Sequence, residues 1–207
     1  MRKDRVDLWE QIIRDDEFSD LDQNASKPEE IAKVQKVLDT LRGLGPLVSP
    51  KLNVGCGGGS QKDFDHFLDP SEIRAPGVTR GWMEDLPFDD CSLGYIECWG
   101  TWGFLRSHVE SIMEVSRCLK LQGSLVLDVF TYSTMPIAQT VNGPSFLRWV
   151  QLFGFSVQGY IDFGYSWHKR LGVRLKKIRE FDPAFFRMPQ VVGEIRNFVE
   201  ERDWYMV

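Results

Sequence analysis

Apolar positions along the chain fall into two regimes. In residues 1–46 they recur at helical spacing. Val6, Trp9, Ile12 and Ile13 make one stripe, and Ile31, Val34, Val37, Leu38 and Leu41 make a second. The polar break FSDLDQNASK separates them. Ser26 with Glu29 three residues on, and Pro28 between them, matches a helix-opening capping box. Gly43, Gly45 and Pro46 end the second helix. From residue 51 the apolar runs become short and are cut by Gly, Pro and Asp. They predict strands near 51–56, 65–69, 78–82, 94–99, 124–130, 157–166 and 172–180. One helix is expected over 107–120. Another is expected from Gly143-Pro144-Ser145 to Phe153, and a last short one over 189–201. His168-Lys169-Arg170 is expected in the loop between the final two strands. Strands alternating with helices imply an α/β sheet, mostly parallel, with an antiparallel hairpin near the C-terminus.

Composition narrows the class. The chain has 207 residues, 43% hydrophobic and 27% charged, which suits one globular domain with an extension. We read residues 1–46 as an N-terminal helical extension and 47–207 as the domain. The best apolar run, Ser124–Phe130, is interrupted by Asp128, so no membrane span is expected. The opening MRKDRVDLWEQ is charged throughout and lacks the pattern of a secretion signal. Cys56, Cys91, Cys98 and Cys118 show no CxxC spacing and do not cluster with histidines. Free thiols, no metal site and a cytoplasmic location are expected. The net charge is −5. Residues 1–30 hold ten acidic and five basic side chains, so the remaining residues hold twenty of each. No broad basic surface for non-specific nucleic-acid binding is expected.

The candidate chemistry begins at Lys51-Leu52-Asn53-Val54-Gly55-Cys56-Gly57-Gly58-Gly59-Ser60. A short strand enters a run of glycines, whose backbone can adopt positive φ and admit a ligand closely. The dinucleotide fingerprint fails, because the third glycine falls on Ser60 or Lys62, and no phosphate-loop Gly-Lys-Ser/Thr follows. Asp69 closes the next strand, 14 residues after Gly55. An acidic residue there can accept hydrogen bonds from ribose hydroxyls. Two further segments follow. One is Trp82-Met83-Glu84-Asp85-Leu86-Pro87-Phe88-Asp89-Asp90-Cys91-Ser92 before the strand Gly94–Trp99. The other is Glu114-Val115-Ser116-Arg117-Cys118-Leu119-Lys120-Leu121-Gln122-Gly123 before the strand Ser124–Phe130.

In this order the four segments resemble the class I S-adenosylmethionine-dependent methyltransferases, closest to the type-11-like group. The resemblance spans about residues 51–130. It implies a Rossmann-like sheet and S-adenosylmethionine as cofactor. It places Gly55, Cys56 and Gly57 along the methionine and ribose, and Asp69 on the ribose hydroxyls. The segment with Met83, Asp85 and Leu86 borders the adenine, and Trp99 lies near the methionine end. Glu114, Arg117 and Leu119 take structural roles. The chain departs from the pattern at Trp82, where the family often has an acidic residue. It also departs at Leu121-Gln122, where the family has Pro-Gly, at Ser92-Leu93-Gly94, and in a short interval between the first two strands.

Methyl transfer from a sulfonium is a direct displacement that works largely by alignment, so a general base is optional and no catalytic residue is named outright. His108 and Tyr132 are the candidates for a base. His168, Lys169, Arg170, Arg174, Lys176, Lys177 and Arg179 form a basic cluster, expected to be a solvated strand face or else a site for an anionic acceptor. Trp99, Trp102 and Phe104 flank the expected site, and Trp149, Phe153 and Phe155 follow on the later helix, chiefly as core. The expected function is methyl transfer to a small-molecule acceptor, with residues 5–43 as a lid. The alternatives are a catalytically silent binding or scaffold protein of the same fold and, less favoured, a nicotinamide dehydrogenase.

Overall fold

The computed structural model describes residues 28–56, 63–70, 77–133, 139–164, 168–185, 188–190 and 193. The first amphipathic stripe, Ser26, the expected lid apart from 28–43 and most of the expected helix over 189–201 lie outside the described residues. The elements run α1 (Pro28–Arg42), β1 (Lys51–Val54), β2 (His66–Asp69), β3 (Val78–Arg80), β4 (Leu93–Cys98), α2 (His108–Cys118), β5 (Leu119–Ser133), α3 (Gly143–Leu152), β6 (Phe155–Gly164) and β7 (His168–Lys177). Two compact units divide the chain at 36/37, inside α1. In the first unit the described residues are the opening turns of α1, where Ile31 is exposed. The second unit holds the sheet. No described helix is long and apolar enough to cross a membrane.

The sheet has seven strands in the order β3-β2-β1-β4-β5-β7-β6. Pairings from β3 through β5 are parallel, and β7 is antiparallel to both β5 and β6. All six residues of β4 are buried, as expected of a central parallel strand covered on both sides. Side chains alternate between faces. One face carries Leu52, Val54, Leu68, Ile96, Cys98, Leu125, Leu127, Val129, Leu171, Val173 and Leu175, which join Ile112 and Val115 of α2 and Phe146, Trp149 and Val150 of α3 in one apolar core. Each such aliphatic side chain contributes roughly 1.5–3 kcal/mol relative to exposure. Both helices open on side-chain caps. Ser107 Oγ accepts from Glu110 N, and Asn142 Oδ1 accepts from Ser145 N, with Pro144 in the first turn.

The other face is polar and stands on buried charge. The Arg42 guanidinium forks onto Glu97, with Nε 2.8 Å from Oε2 and Nη2 2.6 Å from Oε1, and the Tyr95 hydroxyl donates to Glu97 Oε2 at 2.7 Å. Arg174 Nη1 donates to the carbonyls of Leu41 (3.1 Å) and Arg42 (2.7 Å), and Nη2 donates to Pro46 O (3.0 Å) and Ser124 Oγ (3.2 Å). The last carbonyls of a helix lack intrahelical partners, so this guanidinium serves as the C-terminal cap of α1 from across the sheet. Val37, Leu38 and Leu41 are buried beside it.

Three sequence readings are revised. His168, Lys169 and Arg170 do not form the hairpin loop but begin β7, and His168 is buried. Only part of the basic cluster is a solvated face: Lys169 and Arg179 are exposed, but Arg174 and Lys177 are buried, with exposures of 1% and 0%, and Lys177 Nζ donates to Leu119 O at 2.6 Å. The reason is that their acceptors are main-chain carbonyls, which leave no mark in a sequence. The strand expected over 124–130 begins at Leu119 and runs through the departed turn with a bulge, the pairing to β4 moving from Leu93–Leu119 to Tyr95–Ser124, and Gln122 sits in the left-handed region at φ 68° where the family pattern carries glycine. Gly94 has a different reason. A Cβ there would collide with Val48 O, and its N–H donates to Pro50 O at 2.9 Å.

Two measurements test this arrangement. Arg174→Met keeps the aliphatic volume but strands buried carbonyls, and is expected to cost about 2–4 kcal/mol in urea unfolding; a loss below about 0.5 kcal/mol would remove the cap as an anchor of α1. Burial, then the charge of Arg170, holds the His168 imidazole down at about 4. The folded state therefore keeps this ring neutral while the unfolded chain takes up a proton below pH 6.5. Stability is insensitive to this ring above pH 6.5 and falls as pH drops towards 4, by about 3 kcal/mol. The difference in stability between the parent and His168→Gln, measured at pH 7 and pH 4.5, is expected to shrink accordingly. An unchanged difference would place His168 in an unburied state.

Candidate functional site

Parallel pairing brings the ends of β1, β2 and β4 side by side. Register matches Val54 with Leu68 and with Cys98, so the turns that follow each strand open on one edge of the sheet. Sequential strands diverge here: β1 has β2 on one side and β4 on the other. Such a switch point, outside the carboxyl ends of the strands, is where open α/β sheets bind ligands.

The glycine turn starts by extending the ladder, with Gly55 N donating to Leu68 O at 2.8 Å. Gly55 then takes φ +71°, and a Cβ on it would collide with Thr101 Oγ1. The close approach that requires glycine at this position is thus made by the chain itself, between the β1 and β4 turns. Gly57 lies outside the described residues. Cys56 is half-buried, and burial, followed by the charge of Asp69, pushes its thiol pKa up. Asp69 ends β2 and is 6% exposed, and its carbonyl accepts from Gly81 N at 3.1 Å. Gly55, Cys56 and Asp69 are therefore assembled together, with Trp99 on the adjoining turn.

The turn after β4 is set by a residue that sequence reading did not single out. Asp128, on β5, is 3% exposed. Its Oδ1 accepts from Gly100 N at 2.6 Å and its Oδ2 from Arg170 Nη1 at 2.8 Å. Burial raises this carboxyl's pKa, opposed by Arg170 and the Gly100 N–H. The pair fixes Gly100 at φ +75°. Trp99 stacks on Phe163 with ring centroids 5.5 Å apart and planes 5° apart. An Asp interrupting the apolar run of β5 was the available signal for this role.

The segment after β3 divides differently from expectation. The side chains of Met83 and Leu86 lie in the apolar core, and Asp85 is exposed. Leu86 N donates to Glu114 Oε2 at 3.1 Å, and Leu86 O accepts from Arg117 Nη2 at 3.1 Å. Arg117 also reaches Phe88 O and Asp90, so it clamps this segment onto α2. The carboxylate that turns inward is Glu84. Its Oε1 accepts from Arg106 N (2.6 Å) and Ser107 N (3.1 Å) at the start of α2. Trp82 lies under Arg106, whose guanidinium carbon is 3.7 Å from the ring centroid, a cation–π contact.

The candidate bases differ in burial. His108 is buried, stacks on Trp102 at 5.4 Å, and its Nε2 is 2.9 Å from Trp102 O. A carbonyl only accepts, so Nε2 carries the proton and donates. Tyr132 is half exposed, near the end of β5 past a register shift. Trp102, Trp149, Phe153 and Phe155 are core, and Phe104 packs edge-on against Phe130 at 5.6 Å.

In the turns after β3 and β4, Glu84 Oε2 and Trp99 Nε1 are buried and make no hydrogen bond to a described protein group. Such groups are uncommon in native folds and call for a water or ligand. An acidic acceptor at a strand end, a left-handed glycine turn and unsatisfied polar atoms suit a nucleoside-bearing cofactor.

No family model and no curated protein matches this chain. Solved structures do match. A SAM-dependent methyltransferase of Thermotoga maritima is 19% identical, the match covering 70% of this chain and 89% of that one, with TM-score 0.57. The 4+2 cyclase SpnF is 13% identical over 75% of this chain and 83% of its own, with TM-score 0.59. Geranyl diphosphate C-methyltransferase of Streptomyces coelicolor A3(2), solved with geranyl diphosphate and S-adenosyl-L-homocysteine, is 13% identical over 72% of this chain and 79% of its own, with TM-score 0.55. With its strand order and antiparallel hairpin, the chain has the Rossmann-like fold of the class I S-adenosylmethionine-dependent methyltransferases.

Proposed function

We propose that this chain binds S-adenosylmethionine across the ends of β1 and β2 and directs methyl transfer to a small-molecule acceptor. The observation that carries this reading is the buried carboxylate of Asp69, held beside the Gly55-Cys56 turn at the switch point of the sheet. There it can accept from both hydroxyls of a ribose, each charged hydrogen bond contributing roughly 1.5–3 kcal/mol. When bound, the cofactor supplies a methyl group activated by a positive sulfur. The chain's part is to bind, orient and exclude water. Gly55 keeps the β1 turn against Thr101. Asp128 and Arg170 hold the Trp99-Gly100-Thr101 turn that faces the methionine end. Glu84, rather than Asp85, presents an unpaired carboxylate oxygen towards the adenine side. The neighbours include a methyltransferase for a small prenyl diphosphate and a cyclase; a small acceptor accords with the first of these.

A second reading, a silent member of the fold, draws on a specific feature. The connections 55–65, 70–77 and 81–92 contain no helix among their described residues, and such helices would cover the cofactor edge. Binding of S-adenosylhomocysteine separates the two readings, and a nicotinamide enzyme would instead show a thermal shift with NAD.

By titration calorimetry, Asp69→Ala is expected to weaken S-adenosylhomocysteine binding at least tenfold, since about 1.4 kcal/mol corresponds to that factor. Equal affinities for parent and variant would take Asp69 out of the site, and no binding by either would favour the silent reading.

A further inference from the structure

At the amino ends of β4 and β5, the opposite ends of these strands from that site, a thiol, an amine and a carboxylate meet. Cys91 lies in the turn before β4, is exposed, and adopts φ 51°. Its N–H donates to Arg117 O at 2.9 Å, which pins that backbone. Lys177, the last residue of β7, is wholly buried. Its Nζ lies 3.6 Å from Cys91 Sγ, 2.6 Å from Leu119 O and 3.3 Å from Glu180 Oε2. The Cys91 thiol in turn donates to Glu180 Oε2 at 3.3 Å. A buried lysine ordinarily points its head to water; this one is directed at a sulfur and a carbonyl, and oxidants can reach the sulfur. The proposed methyl transfer uses none of these groups.

We propose that Cys91 and Lys177 form an oxidation-driven covalent bridge, a sulfenamide made in response to hydrogen peroxide. The Cys91 proton passes to Glu180, the sulfur attacks peroxide, an S–O bond forms, the O–O bond breaks, and water leaves with the returned proton. Cys91 is then a sulfenic acid, the first and reversible rung of thiol oxidation, which condenses with a neighbouring nitrogen. Lys177 gives a proton to Glu180, and its amine attacks the sulfur. The S–N bond forms as the S–O bond breaks, and a second water departs. In sum, one thiol, one ammonium and one peroxide give one sulfenamide, two waters and one proton. The sulfur is oxidised by two electrons and the peroxide is reduced by two. Burial, then the hydrogen bond to Glu180, hold the Cys91 thiol pKa up, and that same hydrogen bond, with Lys177, holds the Glu180 carboxyl down, so the thiol rests protonated against a carboxylate and gives up its proton there only as the sulfur attacks. The bridge joins residues 86 positions apart, and a link of that span constrains the unfolded chain as a disulfide does.

The test is intact mass spectrometry of the full chain after mild peroxide treatment, without reductant. The expected result is a loss of about 2 Da, restored by dithiothreitol because thiols reverse this step. Peptide mapping should join the segments bearing Cys91 and Lys177, and Tm should rise by several degrees. Cys91→Ser, an exposed and conservative change, should fold as the parent does and show neither the mass loss nor the Tm rise. Gains of oxygen at Cys91 without a cross-link would overturn the proposal, as would a mass loss that maps to a pair of cysteines.

Discussion

The guanidinium of Arg174 is the constraint on which the described structure turns. It is one of the largest wholly buried side chains, and burial lowers its pKa. An isolated buried cation is costly, and the cost is met only when its donors are satisfied. Here three main-chain carbonyls and the Ser124 hydroxyl satisfy them. Three of these acceptors, Leu41, Arg42 and Pro46, are the end of α1 and the chain leaving it. The same residue therefore solves two problems at once: unpaired carbonyls at a helix terminus and a charge inside a sheet.

The position of that helix end is transmitted to the site through the strands. With α1 held, Arg42 reaches Glu97, two residues before Trp99 on β4. On β5, Val126 sits opposite Arg174 and Asp128 follows two positions later on the same face. Asp128 with Arg170 then holds the turn after β4. One sheet face thus carries the ion pairs Arg42–Glu97 and Arg170–Asp128 together with the carbonyl-bound Arg174, while the opposite face packs a largely apolar layer against α2 and α3. The division of labour is physical. Apolar packing supplies most of the stabilisation and is non-directional. The polar face, being directional, sets angles and distances at the turns.

At the ligand edge the balance reverses. The described connections around β1, β2 and β3 carry no helix, and there Glu84 Oε2 is buried without a described protein partner. Similar structures with different chemistries, a methyltransferase and a cyclase among them, accord with the general rule that the fold supplies the frame and the turns supply the reaction.

The local character of the elements was legible in the residues. Alternation and glycine punctuation marked all seven strands, Gly143-Pro144 marked a helix opening, and Gly43 through Pro46 marked the end of α1, because each of these signals acts within a few residues. The glycine turn and Asp69 were legible as neighbours once parallel pairing was expected. The basic residues of β7 were not. Their pattern suggested a loop at His168-Lys169-Arg170 and a solvated basic strand face after it, yet Arg174 binds carbonyls 133 and 128 positions away, and Lys177 binds one 58 positions away. Nor did the sequence distinguish Glu84 from Asp85, since which carboxylate turns inward depends on where the start of α2 arrives. Sequence alone determined which segments are strands and helices and which residues could bear chemistry, because side-chain pattern and backbone preference are local. Tertiary structure alone decided which charges are buried and which polar atoms remain unpaired, because main-chain acceptors are identical at every residue and acquire identity only from their place in space.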